Sequence, residues 1–191
     1  MNTITVIPQH PWTPFLQGPL PRLADYMQRP TPREQWTPDD YLLQAHATVL
    51  VHQDYGMAAR MLNHALRRYP GLDSAQRDLG SMKAQMDQYQ SARWYLTKYL
   101  VRVPYDALAY RMRGSVHGAL GMHAGAARDF DHALILAPED WLSYHYRANA
   151  NQACGRSLEA RMDMLRANEC NVHNASPPKN PWAISALYFA E

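Results

Sequence analysis

The chain reads as an all-α protein, a solenoid of stacked helix pairs, and three observations predict it. First, Pro70, Pro104 and Pro138 each close an apolar, helical-looking run and stand 34 residues apart. Second, the same interval returns alanine at 58, 92, 126 and 160, then a large side chain at Leu62, Leu96, Phe130 and Met164. Third, it returns Ala65, Tyr99, Ala133 and Ala167 three places later, with Val172 standing where a fourth proline would fall. A self-similar period of this length marks a repeat architecture in which no unit buries its apolar face alone.

The units take the boundaries 39–72, 73–106, 107–140 and 141–174. Periodicity predicts helix pairs over 39–53 with 56–68, 74–87 with 90–102, 107–120 with 124–136, and 141–154 with 157–170. Proline ends each second helix because its ring clashes with a continuing helix. The small residues Gly80, Gly114 and Ala148 let neighbouring helices approach, and the large residue of the second helix fills the gap. Before the repeats, residues 1–38 form an arm. Proline stands there at 8, 11, 14, 19, 21, 30, 32 and 38, interleaved with Trp12, Phe15, Leu20, Tyr26 and Trp36. Its apolar content is too high for an idle linker, and a polyproline-like course is expected. Trp12, Phe15 and Trp36 are its contact residues. Three roles stay open: a cap on the repeats, a docking element for a partner or a second copy of the chain, giving a homodimer, and an occupant of the protein's own groove. Residues 175–191 comprise a linker, Ser176 to Pro181, and a short capping helix, Trp182 to Ala190.

Composition narrows the function classes. Lys and Arg number 19 against 17 Asp and Glu, a net charge of +2, too balanced to argue for nucleic acid or an anionic membrane surface. No stretch approaches the ~18 apolar residues of a membrane span, and the first residues lack a basic segment leading into an apolar run. A soluble, cytoplasmic protein is therefore expected, with Cys154 and Cys170 as buried reduced thiols rather than a disulfide. None of the nine histidines forms the i, i+4 pair that metal ligation leaves, and no Gly-rich phosphate loop or nucleophile elbow is present. The expectation is a protein without cofactor, metal or catalytic site.

The pattern Ala-x3-Phe closed by proline, with Gln76-x-x-Leu79-Gly80, Tyr110-x-x-Arg113-Gly114 and Tyr144-x-x-Arg147-Ala148 as weaker first-half signatures, resembles the tetratricopeptide repeat. The third unit carries the resemblance most fully, through Leu120-Gly121, Ala126, Asp129-Phe130-Asp131, Ala133-Leu134 and Pro138. The resemblance implies a right-handed α-solenoid whose concave groove, lined by the first helix of each pair, binds protein. It also implies which positions face the groove. The fifth places of the units are Leu43, Arg77, Arg111 and His145, and the ninth are Ala47, Ser81, Ser115 and Asn149. Arg77 and Arg111 could hold carboxylates or backbone carbonyls while Ser81, Ser115 and Asn149 satisfy a peptide backbone. The alternative is a solvated face, or arginines paired with Asp78 and neighbouring acids. The family's carboxylate clamp, which grips the C-terminal aspartate of heat-shock chaperones, is broken here, because Met112, Leu142 and Tyr146 stand where polar residues are needed. Leu108 and Met112 instead begin an apolar, aromatic end to the groove. The expected function is a non-catalytic module that binds an extended, acidic or carboxylate-bearing peptide as adaptor or assembly factor. A bacterial secretion chaperone is the alternative, and an enzyme or enzyme-regulatory subunit the reading from another class.

Overall fold

The computed structural model describes residues 35–171, which form eight α-helices and no strand. They are α1 (Pro38–His52), α2 (Tyr55–Arg68), α3 (Asp73–Gln85), α4 (Tyr89–Arg102), α5 (Ala107–Ala119), α6 (His123–Leu136), α7 (Trp141–Ala153) and α8 (Ser157–Cys170). The second helices begin at 55, 89, 123 and 157 and the later first helices at 73, 107 and 141, so the 34-residue interval of the sequence is carried by the backbone itself. Helices pack in chain order, and the first helix α5 also touches the first helices α3 and α7 on either side of it. The result is an all-helical solenoid of tetratricopeptide-type pairs. Most of residues 1–38, and all of the linker and capping helix expected at 175–191, lie outside the described residues.

Local chemistry sets the helix ends. α1 opens on a capping box: the Asp40 amide donates to Thr37 Oγ1 at 3.3 Å, the Thr37 amide donates to Asp40 Oδ2 at 2.7 Å, and Pro38 occupies the first turn, satisfying amides that a helix start leaves unpaired. Asp54 and Asp106 cap α2 and α5 through the amides of Met57, at 2.7 Å, and Ala109, at 3.0 Å. Within the last three pairs the first helix ends in a Schellman turn. The Gln88, Met122 and Arg156 amides reach back to the carbonyls of Lys83, His117 and Asn151 at 2.9, 2.8 and 2.9 Å. The residue between is left-handed: Asp87 (φ 58°), Gly121 (φ 72°) and Gly155 (φ 77°). Glycine takes that conformation freely, whereas Asp87 holds it against its own Cβ.

The anchor positions are the core. Ala58, Ala92, Ala126 and Ala160 are all buried, as are Leu62, Leu96 and Phe130. Met164, the last of that large-residue series, is exposed, because no further described helix packs over it. Gly80 and Gly114 show why the partner position must be small. A Cβ on Gly80 would lie 2.6 Å from Leu96 Cγ, and one on Gly114 would lie 2.8 Å from Phe130 Cε1, closer than packed carbons can sit.

The cysteines depart from expectation. Both are free thiols, but Cys154 is exposed and Cys170 only partly covered. Each stands at a helix end, where the side chain meets the turn rather than the interior.

Candidate functional site

Because α1, α3, α5 and α7 are in register, their fifth and ninth places form rows one helical turn apart. On α3, Arg77 Nη1 bonds Asp106 Oδ2 at 3.2 Å, Nε bonds Asp78 Oδ1 at 3.3 Å, and the guanidinium lies 5.9 Å from the Tyr99 ring centroid. Asp106 is the cap of the next first helix and also accepts from the Tyr99 hydroxyl at 2.8 Å. Burial opposes the Arg77 charge, yet the fields of Asp78 and Asp106 outweigh it and raise its pKa. Tyr99 is pushed up to about 12, by burial and then by its bond to Asp106. One unit later the arrangement recurs: Arg111 Nη1 bonds Asp140 Oδ1 at 2.6 Å, and the Ser143 hydroxyl donates to Asp140 Oδ2 at 2.5 Å.

The arginines expected at the groove are thus locked to aspartates 29 residues further on. Each pair ties one first helix to the start of the next, and so aligns the face. Three of the four ninth places are small and covered: Ala47 and Ser115 are fully buried and Ser81 nearly so. His145 is 8% exposed, its Nε2 lies 3.3 Å from Asn149 Nδ2, and burial lowers its pKa. Leu108 is half-buried. Met112, Leu142 and Tyr146 are buried in a core cluster with Phe130, and the Tyr146 and Phe130 rings stack at 5.9 Å.

Three buried polar atoms along α5 and α7 have no hydrogen-bond partner: Arg111 Nε, Ser115 Oγ and the Tyr146 hydroxyl. All three can donate. Burial raises the pKa of Tyr146, so the phenol keeps its proton. Asp78, beneath Arg77, is 1% exposed and sits 2.9 Å from His46 Nε2.

A second polar system escaped the sequence reading. Arg113 Nε and Nη2 bond Asp129 at 3.0 and 2.7 Å, and His117 Nδ1 lies 2.8 Å from the same carboxylate. Arg147 repeats this toward Asp163 at 2.9 and 2.6 Å, with Asn151 Nδ2 in the histidine's place at 3.0 Å. Each arginine also reaches the preceding second helix, Arg113 to Thr97 at 3.5 Å and Arg147 to Asp131 at 2.7 Å. Arginine here replaces the leucine of the family signature, and the recurrence of Arg113 with Asp129 as Arg147 with Asp163 was the available signal. Of the arm residues, Trp36 is described: it meets Tyr41 edge-on at 5.0 Å, and its carbonyl accepts from the Tyr69 hydroxyl at 2.9 Å. Trp12 and Phe15 lie outside the described residues.

No protein-family model and no curated protein matches the chain. Several solved structures do. MamA from Desulfovibrio magneticus RS-1, from residue 41 to its end, is similar at a TM-score of 0.72 and 19% identity, covering 86% of this chain and 93% of that one. MamA of AMB-1 gives 0.67 and 23% over 81% and 82% of the two chains, and MamA of MSR-1 gives 0.67 and 20% over 78% and 84%. The likeness is one of fold, a tetratricopeptide-like helical solenoid. Among the described residues no helix is long and apolar enough to cross a membrane.

Proposed function

We propose that the protein is a non-catalytic interaction module that holds an extended segment of a partner protein against the face formed by α3, α5 and α7, as an adaptor or assembly factor. The observation that carries this reading is the repeated face itself: Arg77 to Asp106 and Arg111 to Asp140 tie consecutive first helices of a tetratricopeptide-like solenoid into one aligned surface. Arg111 contributes as an oriented donor, since a guanidinium has five N–H groups and Asp140 uses only some of them.

The test compares affinity capture from a lysate of the native cell by the intact protein and by an Arg77→Gln/Arg111→Gln variant, read by mass spectrometry. Neutralisation is chosen over charge reversal because reversal would set new carboxylates against Asp106 and Asp140. A partner enriched by the intact protein should be lost from the variant and kept by Arg60→Gln, a change on α2. Equal capture by all three proteins would remove the first-helix face from consideration.

A further inference from the structure

A cleft of about 220 Å³ opens at the junction of the first two repeats, bounded by Asn63 and Arg67 of α2, Gln76 of α3, and Trp94, Tyr95 and Lys98 of α4. One substitution within the repeat explains why it exists. The place held by Gln76 belongs to Tyr110 and Tyr144 in the next two units. There a ring occupies the place: Tyr110 stacks on His132 at 5.0 Å with the Arg113 guanidinium 5.5 Å over it, and Arg147 lies 5.5 Å over Tyr144. Glutamine is shorter and has no ring, so the first junction lacks the aromatic side chain that the other two hold.

The walls of that cleft have a definite chemistry. Gln76 is 3% exposed, and its side-chain oxygen accepts no hydrogen bond. It therefore calls for a donor. Asn63 is already used at both ends, donating to the Ala59 carbonyl at 2.9 Å and accepting from the Tyr95 hydroxyl at 3.2 Å. Arg67 and Lys98 are exposed cations at the rim, with Lys98 Nζ 5.1 Å from the Trp94 ring centroid. Trp94 itself is 56% exposed, a large aromatic surface facing solvent at the mouth. A guest must then supply an N–H for Gln76, negative charge for the two cations, and a flat or apolar portion for Trp94. The volume is below the ~300–1,000 Å³ of small-molecule sites and above that of a few waters, at ~30 Å³ each. It suits one side chain with its own peptide group.

We propose that this cleft is a second binding site, separate from the first-helix face, and that it takes an acidic residue of a partner protein, whose carboxylate meets Arg67 and Lys98 while a peptide N–H is donated to Gln76 Oε1. Charge complementarity and the unpartnered amide oxygen select an acidic residue over a basic or purely apolar one. None of the residues assigned to the first-helix face lines the cleft, so each site can be removed without the other.

The test uses the full chain and two small probes, N-acetyl-L-glutamate N-methylamide and its glutamine analogue, followed by NMR at the Trp94 indole N–H and the Gln76 side-chain amide. Saturable shifts are expected from the glutamate probe with a Kd on the order of millimolar, and at least tenfold weaker binding of the glutamine analogue. Lys98→Glu, an exposed change, should weaken the glutamate probe by at least tenfold. Gln76→Tyr, which puts a ring at this place as Tyr110 and Tyr144 do at theirs, should abolish the response at Trp94 without lowering the melting temperature. Arg77→Gln/Arg111→Gln should leave it intact. No saturable shift, equal binding of both probes, or survival of binding in Lys98→Glu would overturn the proposal. Loss of binding in the Arg77→Gln/Arg111→Gln variant would move the glutamate site to the first-helix face, overturning the cleft while leaving the proposed function standing.

Discussion

Asp129→Ala is the most informative single change to stability. Asp129 is 3% exposed and receives Arg113 through two bonds, with His117 Nδ1 2.8 Å away. Although burial alone would raise its pKa, the bonds from His117 and Arg113 outweigh that and hold it below the ordinary carboxylate value. Removing the acid strands a guanidinium whose side chain is only 18% exposed, and breaking a buried pair in this way costs about 3–5 kcal/mol. Arg113 keeps its 3.5 Å contact with Thr97 and its place over the Tyr110 ring, so the lower end, ~3 kcal/mol, is expected. At ~2–4 °C per kcal/mol for a chain of this size, the helical signal at 222 nm should melt roughly 6–12 °C earlier. The second repeat offers an internal control, since it holds Leu79 and Tyr95 at the corresponding places. Arg113→Leu with Asp129→Tyr transplants that solution and should lie within about 1 kcal/mol of the native protein, because apolar replacement of a whole buried pair is often neutral. The reasoning would be refuted if Asp129→Ala lost less than ~1 kcal/mol, or if the double variant were as unstable as the single one.

Gly114→Leu should destabilise by about 1–3 kcal/mol in the same melting assay, since even a Cβ there would press to 2.8 Å from Phe130. A melting temperature equal to the native one would mean that the third pair is not closely packed. The depressed pKa of His145 gives a pH dependence with a definite sign. Its folded pKa lies below the unfolded value of ~6.5, so its contribution is complete above that pH and is lost as pH falls toward the folded pKa, where the buried ring must charge. Melting temperatures measured from pH 7.5 to 5 should therefore decline in the native protein and decline less in His145→Gln, and parallel curves would contradict this origin.

Helix starts at 107 and 141 could be read from the sequence, and the start at 73 to within one residue of the expected 74, because proline and small-residue positions repeat on one interval and act locally. The match of Gly80 to Leu96 and of Gly114 to Phe130 was legible for the same reason: small and large positions alternate in a fixed register. The partners of Arg77 and Arg111 were less so. Asp106 and Asp140 stand at the starts of α5 and α7, and nothing local says that an aspartate there also faces an arginine 29 residues earlier. Arg113 and Arg147 were visible only as weakened leucine positions, since an arginine in a core place is explained by its acid on the other helix. Gln76 carried no signal of its own. What matters there is the ring it lacks, and a missing volume appears only when neighbouring junctions can be compared in three dimensions.

The Asp106 and Asp140 caps also make this chain a set of interchangeable lengths. Excising residues 107–140 would join Asp106 directly to Trp141, so that Arg77 would find its aspartate at the start of α7 as it now does at the start of α5. Arg147 would meet Thr97 on the preceding second helix, as Arg113 does now, and would keep Asp163 on its own partner helix. Most bonds broken by the excision have a counterpart on the other side of the cut, whereas Arg93, which now reaches Met122 Sδ at 3.2 Å, would face Arg156. A single in-frame genetic event could thus shorten or lengthen the first-helix face by one unit.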